Sequence, residues 1–276
     1  MSIHTKCRGA YPSAPANIIR APLGDDQVPW TTEMQSYAPP SYTSPIVLGT
    51  VTGKVPVWAD AFDPNEAALP KNPAGRTGLV GRGLLGRYGK NRAADPICSW
   101  VLIDDATKMP IIDPITNMVE HYVLVIVRGP ASGAGDFEVA LPGGMVDDDD
   151  ATINATLSRE LCEEALQGVG GCSLATLFKE HGTTIYKGYV DDSRNTDIAW
   201  MTTTAVALVD YNGDTLLRHR GFLPDGKPRP GGDDTRSAKL IRYHPGLTMF
   251  ASHAAFLVAN AAHVDSKARA DFPLLH

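Results

Sequence analysis

The stretch from Leu141 to Gln167, LPGGMVDDDDATINATLSRELCEEALQ, constrains the fold more than any other part of the chain. Gly143 and Gly144 form a turn, an aspartate run follows, and the next residues carry a helical pattern. At about 100° per residue, Ile153, Leu157, Leu161 and Ala165 line one apolar stripe. Glu160, Glu163 and Glu164 fall in a narrow arc along its edge. The stripe has to pack on another layer, which leaves the carboxylates lining a cleft.

Like charges at i, i+3 and i+4 repel one another, so an isolated helix gains nothing from this arc. A bound cation removes the conflict. Hard oxygen ligands on a rigid element suit Mg2+, with Mn2+ as the alternative, and such ions bridge to phosphates. Arg159, four residues before Glu163, is placed to hold a carboxylate by a charge-assisted hydrogen bond. For the glutamates alone, a solvated acidic face is the simpler account. Asp147 to Asp150 suit capping and the positive end of the helix dipole.

Apolar, β-branched runs around this helix read as strands: SWVLI from Ser99, HYVLVIVRG from His121, TIYKGYV from Thr184, WMTTTAVALV from Trp200 and KLIRYH from Lys239. An amphipathic segment runs from Leu247 to about Val264. Strands mixed with helices indicate an α/β layered domain over residues 96–276. Residues 1–95 are rich in Pro and Gly and read as a smaller, loop-rich N-terminal domain. No internal repeat is evident.

Bulk properties exclude some functions. Lys+Arg of 25 against Asp+Glu of 31 gives a net charge of -6, the wrong sign for holding nucleic acid through its phosphates. The longest strand-like apolar run, Tyr122 to Val127, ends at Arg128, so no membrane insertion is expected. Cys7, Cys98, Cys162 and Cys172 show neither a CxxC pair nor zinc-ligand spacing, and a chain of 276 residues needs no covalent staples. Unpaired cysteines in a reducing compartment are expected. Lys6, Arg8 and Arg20 precede any acid, as in a transit peptide, but Pro12, Pro15 and Pro22 interrupt a helix there. The expectation is a cytoplasmic monomer, with the mitochondrion as the alternative compartment.

Gly143, Gly144 and the run Arg159-Glu160-Leu161-Cys162-Glu163-Glu164 resemble the Nudix box, G-x5-E-x7-R-E-U-x-E-E-x-G-U, where U is bulky and apolar. The resemblance implies that Glu160, Glu163 and Glu164 hold metal and that Arg159 orients one of them. Two departures stand out. Five residues after Gly144 comes Asp150, which implies Asp150 for the first box carboxylate, yet eight residues rather than seven then precede Arg159. The closing Gly is replaced, since Ala165-Leu166 follows Glu164.

Other segments narrow the resemblance. NPAGRTGLVGRGLLGRYGKNRAADPI from Asn72, LPGGMVD, IYKGYVDDSRNTDIAWMTT from Ile185, GDD from Gly232 and ASH from Ala251 are similar to Nudix ADP-ribose pyrophosphatases that carry an extra N-terminal domain. They are equally similar to the C-terminal domain of melastatin-type channels that open on ADP-ribose. A Nudix α/β/α sandwich and ADP-ribose as the substrate follow from this likeness. It implies ribose contacts from Asp192 and Arg194, and gives His253 the same kind of support; Phe250 stands where the family often has Tyr. Gly143, Gly144, Asp233 and Asp234 are also expected at the substrate site, and Glu160, Glu163, Asp233 or Asp234 could serve as general base.

GRGLLG, with Gly81, Gly83 and Gly86, also fits G-x-G-x-x-G, but it neither follows a predicted strand nor opens a helix. What remains is a flexible loop whose Arg76, Arg82 and Arg87 can approach a diphosphate; ordinary turns with solvated arginines are the plain alternative. The expected activity is metal-dependent hydrolysis of ADP-ribose to AMP and ribose 5-phosphate. One rival is an ADP-ribose sensor without turnover, although channel forms often lose the R-E-U-x-E-E string that this chain keeps. Another is hydrolysis of a different nucleoside diphosphate derivative, such as NADH or a nucleotide sugar.

Overall fold

Successive side chains of a strand point to opposite faces of the sheet, and in this chain both faces are apolar. The structure, a computed structural model, describes residues 4–12, 14–63, 65, 68–128, 138–166, 174–217, 238–249 and 252–275. In chain order the elements are short 3-10 turns at Lys6–Arg8 and Asp25–Gln27, β1 (Ser41–Thr43), β2 (Val80–Gly83), β3 (Gly89–Val101), β4 (His121–Arg128), β5 (Glu138–Ala140), β6 (Gly144–Met145), α1 (Ile153–Glu164), α2 (Ala175–His181), β7 (Thr183–Tyr189), β8 (Ala199–Tyr211), β9 (Ala238–Arg242) and α3 (His253–Asp271). The main sheet has the order β5-β4-β3-β8-β7, with β6 paired to β3 and β9 to β4. β4 runs antiparallel to β3 from Ser99↔Val123 to Val101↔His121, and antiparallel to β9 from Tyr122↔Arg242 to Ile126↔Ala238.

Trp100, Leu124, Ile126 and Leu208 share a core with Leu157 and Leu161 of α1 and Phe178 of α2. Val101 and Val209, each one residue further on, join Val264 and Ala268 of α3 in a second core. α1 and α2 therefore cover one face of the sheet and α3 the other, the α/β/α sandwich expected. Burying each large aliphatic side chain of α1 stabilises it by about 1.5–3 kcal/mol, so this packing holds the helix despite the like charges along its edge.

Contacts divide the chain into two units, Met1–Ala93 with Gly188–Thr203, and Ala94–Lys187 with Thr204–His276. The boundary falls inside β3, β7 and β8. The first unit contains the parallel pair β1 and β2 and is otherwise mostly turns. It takes in residues 188–203, which sequence order assigns to the second half. Bonds distant in sequence explain this: Arg20 donates to the carbonyls of Ser193 at 2.7 Å and Asn195 at 2.9 Å, and Asp197 accepts from the Thr77 N–H at 2.7 Å.

Several expectations are revised. β3 continues through Pro96, whereas the apolar pattern alone starts the strand after it. The last helix begins at His253, not near Leu247, because the chain turns at Pro245 and Gly246, with the Leu247 N–H bonded to His244 O. A short repeat exists after all, Asp104-x-x-Thr107-x-Met109 and Asp113-x-x-Thr116-x-Met118. In each copy the Asp Oδ1 accepts the Thr N–H and a left-handed residue, Lys108 or Asn117, closes the turn. Cys162 is disulfide-bonded, which overturns the expectation of unpaired cysteines, since spacing could not reveal a pair brought together by folding. Cys7 and Cys98 are free and buried. No helix among the described residues is long and apolar enough to cross a membrane.

Candidate active site

The acidic helix starts at a true cap. Thr152 has extended backbone, and its Oγ1 accepts the N–H of Ala155 at 3.2 Å. Asp150, two residues earlier, does something else. Its Oδ2 accepts from Arg159 Nη2 at 3.0 Å, Thr156 Oγ1 at 2.8 Å and the Asp147 N–H at 3.1 Å. Burial alone would raise its pKa, but these three donors outweigh it and hold the carboxyl below its usual range.

Arg159 is the hub of the cluster. Its guanidinium lies 2.7 Å from Glu160, 3.0 Å from Asp150, 3.2 Å from Asp147 and 3.4 Å from Glu163, and donates to Met145 O at 2.9 Å. Burial works against its charge, yet the surrounding carboxylates raise its pKa further. Glu160 behaves differently although it touches the same cation. Its side chain is only 9% exposed, and burial, with the charges of Glu164 and Glu163 adding to it, pushes its pKa up to about 7 against the pull of Arg159. One guanidinium shared among four carboxylates does not neutralise the one most deprived of water. Glu163, by contrast, has a side chain 58% exposed.

The glycine turn meets this helix at two points. Gly143 N–H donates to Glu164 Oε2 at 2.8 Å. Gly144 has its Cα against Glu160, where an added Cβ would lie 2.5 Å from both carboxylate oxygens. Gly143 has φ +154, and a Cβ there would collide with Asp95 Oδ1 and Ala94 O. Asp95, on β3, is a residue that pattern reasoning missed. It is a buried carboxylate on a strand, and periodicity assigns such a position no role.

Other expected site residues have partners of their own. Arg76 is buried; its guanidinium donates to the carbonyls of Gln27, Pro29 and Thr32 and lies over the rings of Trp30 and Tyr37. Arg82 donates to Asp60 O and Gly86 O and lies 4.7 Å from the Tyr88 ring centre. Arg87 pairs with Asp60 at 2.9 Å. The expected flexible arginine loop is thus corrected: two of its guanidinium groups serve as internal struts, because carbonyls and aromatic faces surround them, those around Arg76 being distant in sequence. Asp192 and Arg194 form a two-pronged pair, with Arg194 Nε to Asp192 Oδ1 and Nη2 to Oδ2 both at 2.8 Å. His253 Nδ1 accepts the Leu141 N–H at 2.9 Å, so that nitrogen is not open to a ribose hydroxyl. Asp233, Asp234 and Phe250 lie outside the described residues. Among the described residues, no three His, Cys, Asp or Glu side chains converge on a ready-made metal position.

A family model described as NUDT9-like, N-terminal domain, matches residues 59–89. The chain is 37% identical to the mitochondrial ADP-ribose pyrophosphatase of Rattus norvegicus, over 92% of this chain and 76% of that protein. It is 34% identical to nudix hydrolase 6 of Caenorhabditis elegans, over 92% of this chain and 95% of that one. It is also 32% identical to a transient receptor potential cation channel, subfamily M member-like 2, of Nematostella vectensis, over 92% of this chain but only 17% of the channel. At 37% and 34% identity over most of both chains, the first two relatives show that the chain belongs to the Nudix hydrolase family. Within that family its likeness is to the form that carries the NUDT9-like N-terminal region.

Proposed function

We propose that this chain hydrolyses ADP-ribose to AMP and ribose 5-phosphate, using a divalent cation held by Glu160, Glu163 and Glu164. The observation that carries this reading is the crowding of Glu160 and Glu164 against the Gly143-Gly144 turn, with Arg159 as the sole guanidinium among the carboxylates described there. The donor set fits a hard cation: all oxygen, on a rigid helix, with one carboxylate made costly by burial and like charge. The carboxylates would leave their present partners to converge. Mg2+ is the cation proposed, and when bound it neutralises diphosphate charge and activates water.

The protein's own groups supply the rest. Arg159 holds Glu160 and Glu163 in register and is itself anchored by Asp150 and Met145 O. Asp150 therefore supports the cluster through Arg159 in this reading, in place of direct ligation. Gly144 lets the Glu160 carboxylate approach the turn. Water oxygen bonds to one phosphorus, the bridging P–O bond breaks, and the departing phosphate oxygen leaves with AMP or ribose 5-phosphate. Glu160 and Glu163 remain the described candidates for taking the proton from that water. Asp192 and Arg194 are proposed as ribose contacts.

Anion-exchange analysis of products after incubation with ADP-ribose, with Mg2+ or with EDTA, tests this. AMP and ribose 5-phosphate in equal amounts, formed only with metal, are expected. Saturable binding of ADP-ribose without products would establish the sensor reading, and faster cleavage of NADH or a nucleotide sugar would change the substrate. The cytoplasmic, monomeric form is part of the same proposal; organelle fractionation and light scattering check it.

A further inference from the structure

We infer that His253 is a positioning residue for the metal helix, acting through the glycine turn. The inference rests on the role proposed above for the glutamates. Its starting point is the bond between the Leu141 N–H and His253 Nδ1 at 2.9 Å, which joins the first residue of α3 to the start of the Leu141-Pro142-Gly143-Gly144 turn. A backbone N–H can only donate, so Nδ1 carries no proton and the ring's proton sits on Nε2. Nε2 faces Asp95 Oδ1 at 3.8 Å.

The same turn is fixed from three sides. Leu141 is buried to 1% exposure and its amide is held by His253. Asp95 fills the space beside the Gly143 Cα. From the far end of the turn, the Gly143 N–H reaches Glu164 and the Gly144 Cα abuts Glu160. Four residues thus separate an imidazole on one helix from two glutamates on another, and the peptide between them has little freedom because Pro142 locks one φ. Releasing the Leu141 amide lets the turn shift, and the Gly143 N–H and the Gly144 wall shift with it.

The acceptor at Nδ1 is the feature that matters, and Asn presents an oxygen at nearly the same place, whereas Gln reaches toward the Nε2 position. The test compares His253→Asn, His253→Gln and His253→Ala in the full chain. Amide hydrogen exchange of the peptide spanning residues 138–145 reads the clamp without any turnover. Mn2+ titration followed by electron paramagnetic resonance reads the glutamate cluster, and thermal melts confirm folding. The Ala and Gln variants should lose protection at Leu141 and bind Mn2+ about tenfold more weakly, while Asn keeps both within about threefold of the parent. With ADP-ribose and saturating Mg2+, kcat should fall about tenfold for Ala and Gln, with KM changed less than about twofold.

The inference is overturned if Asn behaves like Ala, or if all three variants raise KM at unchanged kcat, the pattern of a lost substrate contact. A parent chain that binds Mn2+ yet leaves ADP-ribose intact would sink the proposed reaction, while exchange and Mn2+ binding would still decide the role of His253.

Discussion

The Glu160 carboxylate rests against the Cα of Gly144, with no room for a methyl group between them. Gly144 is not in the left-handed region, so Gly144→Ala tests this contact without a backbone penalty. The expected result is displacement of Glu160, a fall in kcat of about tenfold or more, and a stability loss on the order of 1–3 kcal/mol. Gly246→Ala, where the nearest atom would be 3.6 Å away, is the control and should leave both unchanged. Equal rates for the two variants would remove the Glu160–Gly144 packing from the mechanism.

Burial of Glu160 predicts a pH dependence in metal-free protein. Its pKa in the fold is about 7, above its ordinary 4.5, so folding favours the protonated carboxyl. Its contribution to stability is complete below pH 4.5 and is lost as pH rises through about 7, a change on the order of 3 kcal/mol at most. Glu160→Gln cannot ionise. In EDTA, the melting temperature of the parent should therefore fall relative to this variant between pH 4.5 and pH 7.5. A parent that gains on the variant over that interval would contradict the burial assignment.

Asp150 anchors Arg159 and Thr156, whereas Asp149 is exposed. Asp150→Ala should cost ~1–2 kcal/mol and lower kcat severalfold, because Arg159 loses one of its fixed partners. Asp149→Ala should change stability by less than about 0.5 kcal/mol and leave the rate alone. Calorimetry with steady-state rates at saturating Mg2+ makes the comparison. If titration of Asp150→Ala also shows one cation fewer bound, Asp150 is a direct ligand after all.

Arg76 is predicted to matter for folding and not for phosphate recognition. Arg76→Ala removes three bonds to carbonyls and two ring contacts, so a loss of about 2–4 kcal/mol is expected in chemical denaturation. KM for ADP-ribose, corrected for folded fraction, should stay within about twofold. A raised KM at unchanged stability would return Arg76 to the substrate site.

Helical period alone determined the two faces of α1, since Leu157 and Leu161 must pack wherever the helix sits and Glu160, Glu163 and Glu164 follow at its edge. Runs of β-branched residues likewise determined where β4 and β8 lie, because strands buried on both faces have to be apolar throughout. These are local properties, carried by neighbours along the chain. Only the tertiary structure decided what the polar side chains do. Arg76 bonds to Pro29 across 47 residues, and His253 to Leu141 across 112. A guanidinium suits a phosphate or a ring of carbonyls equally well, and an imidazole suits a ribose or a backbone amide. The groups that folding brings within hydrogen-bonding distance make the choice, and their sequence separation leaves no periodic trace by which it could be read beforehand.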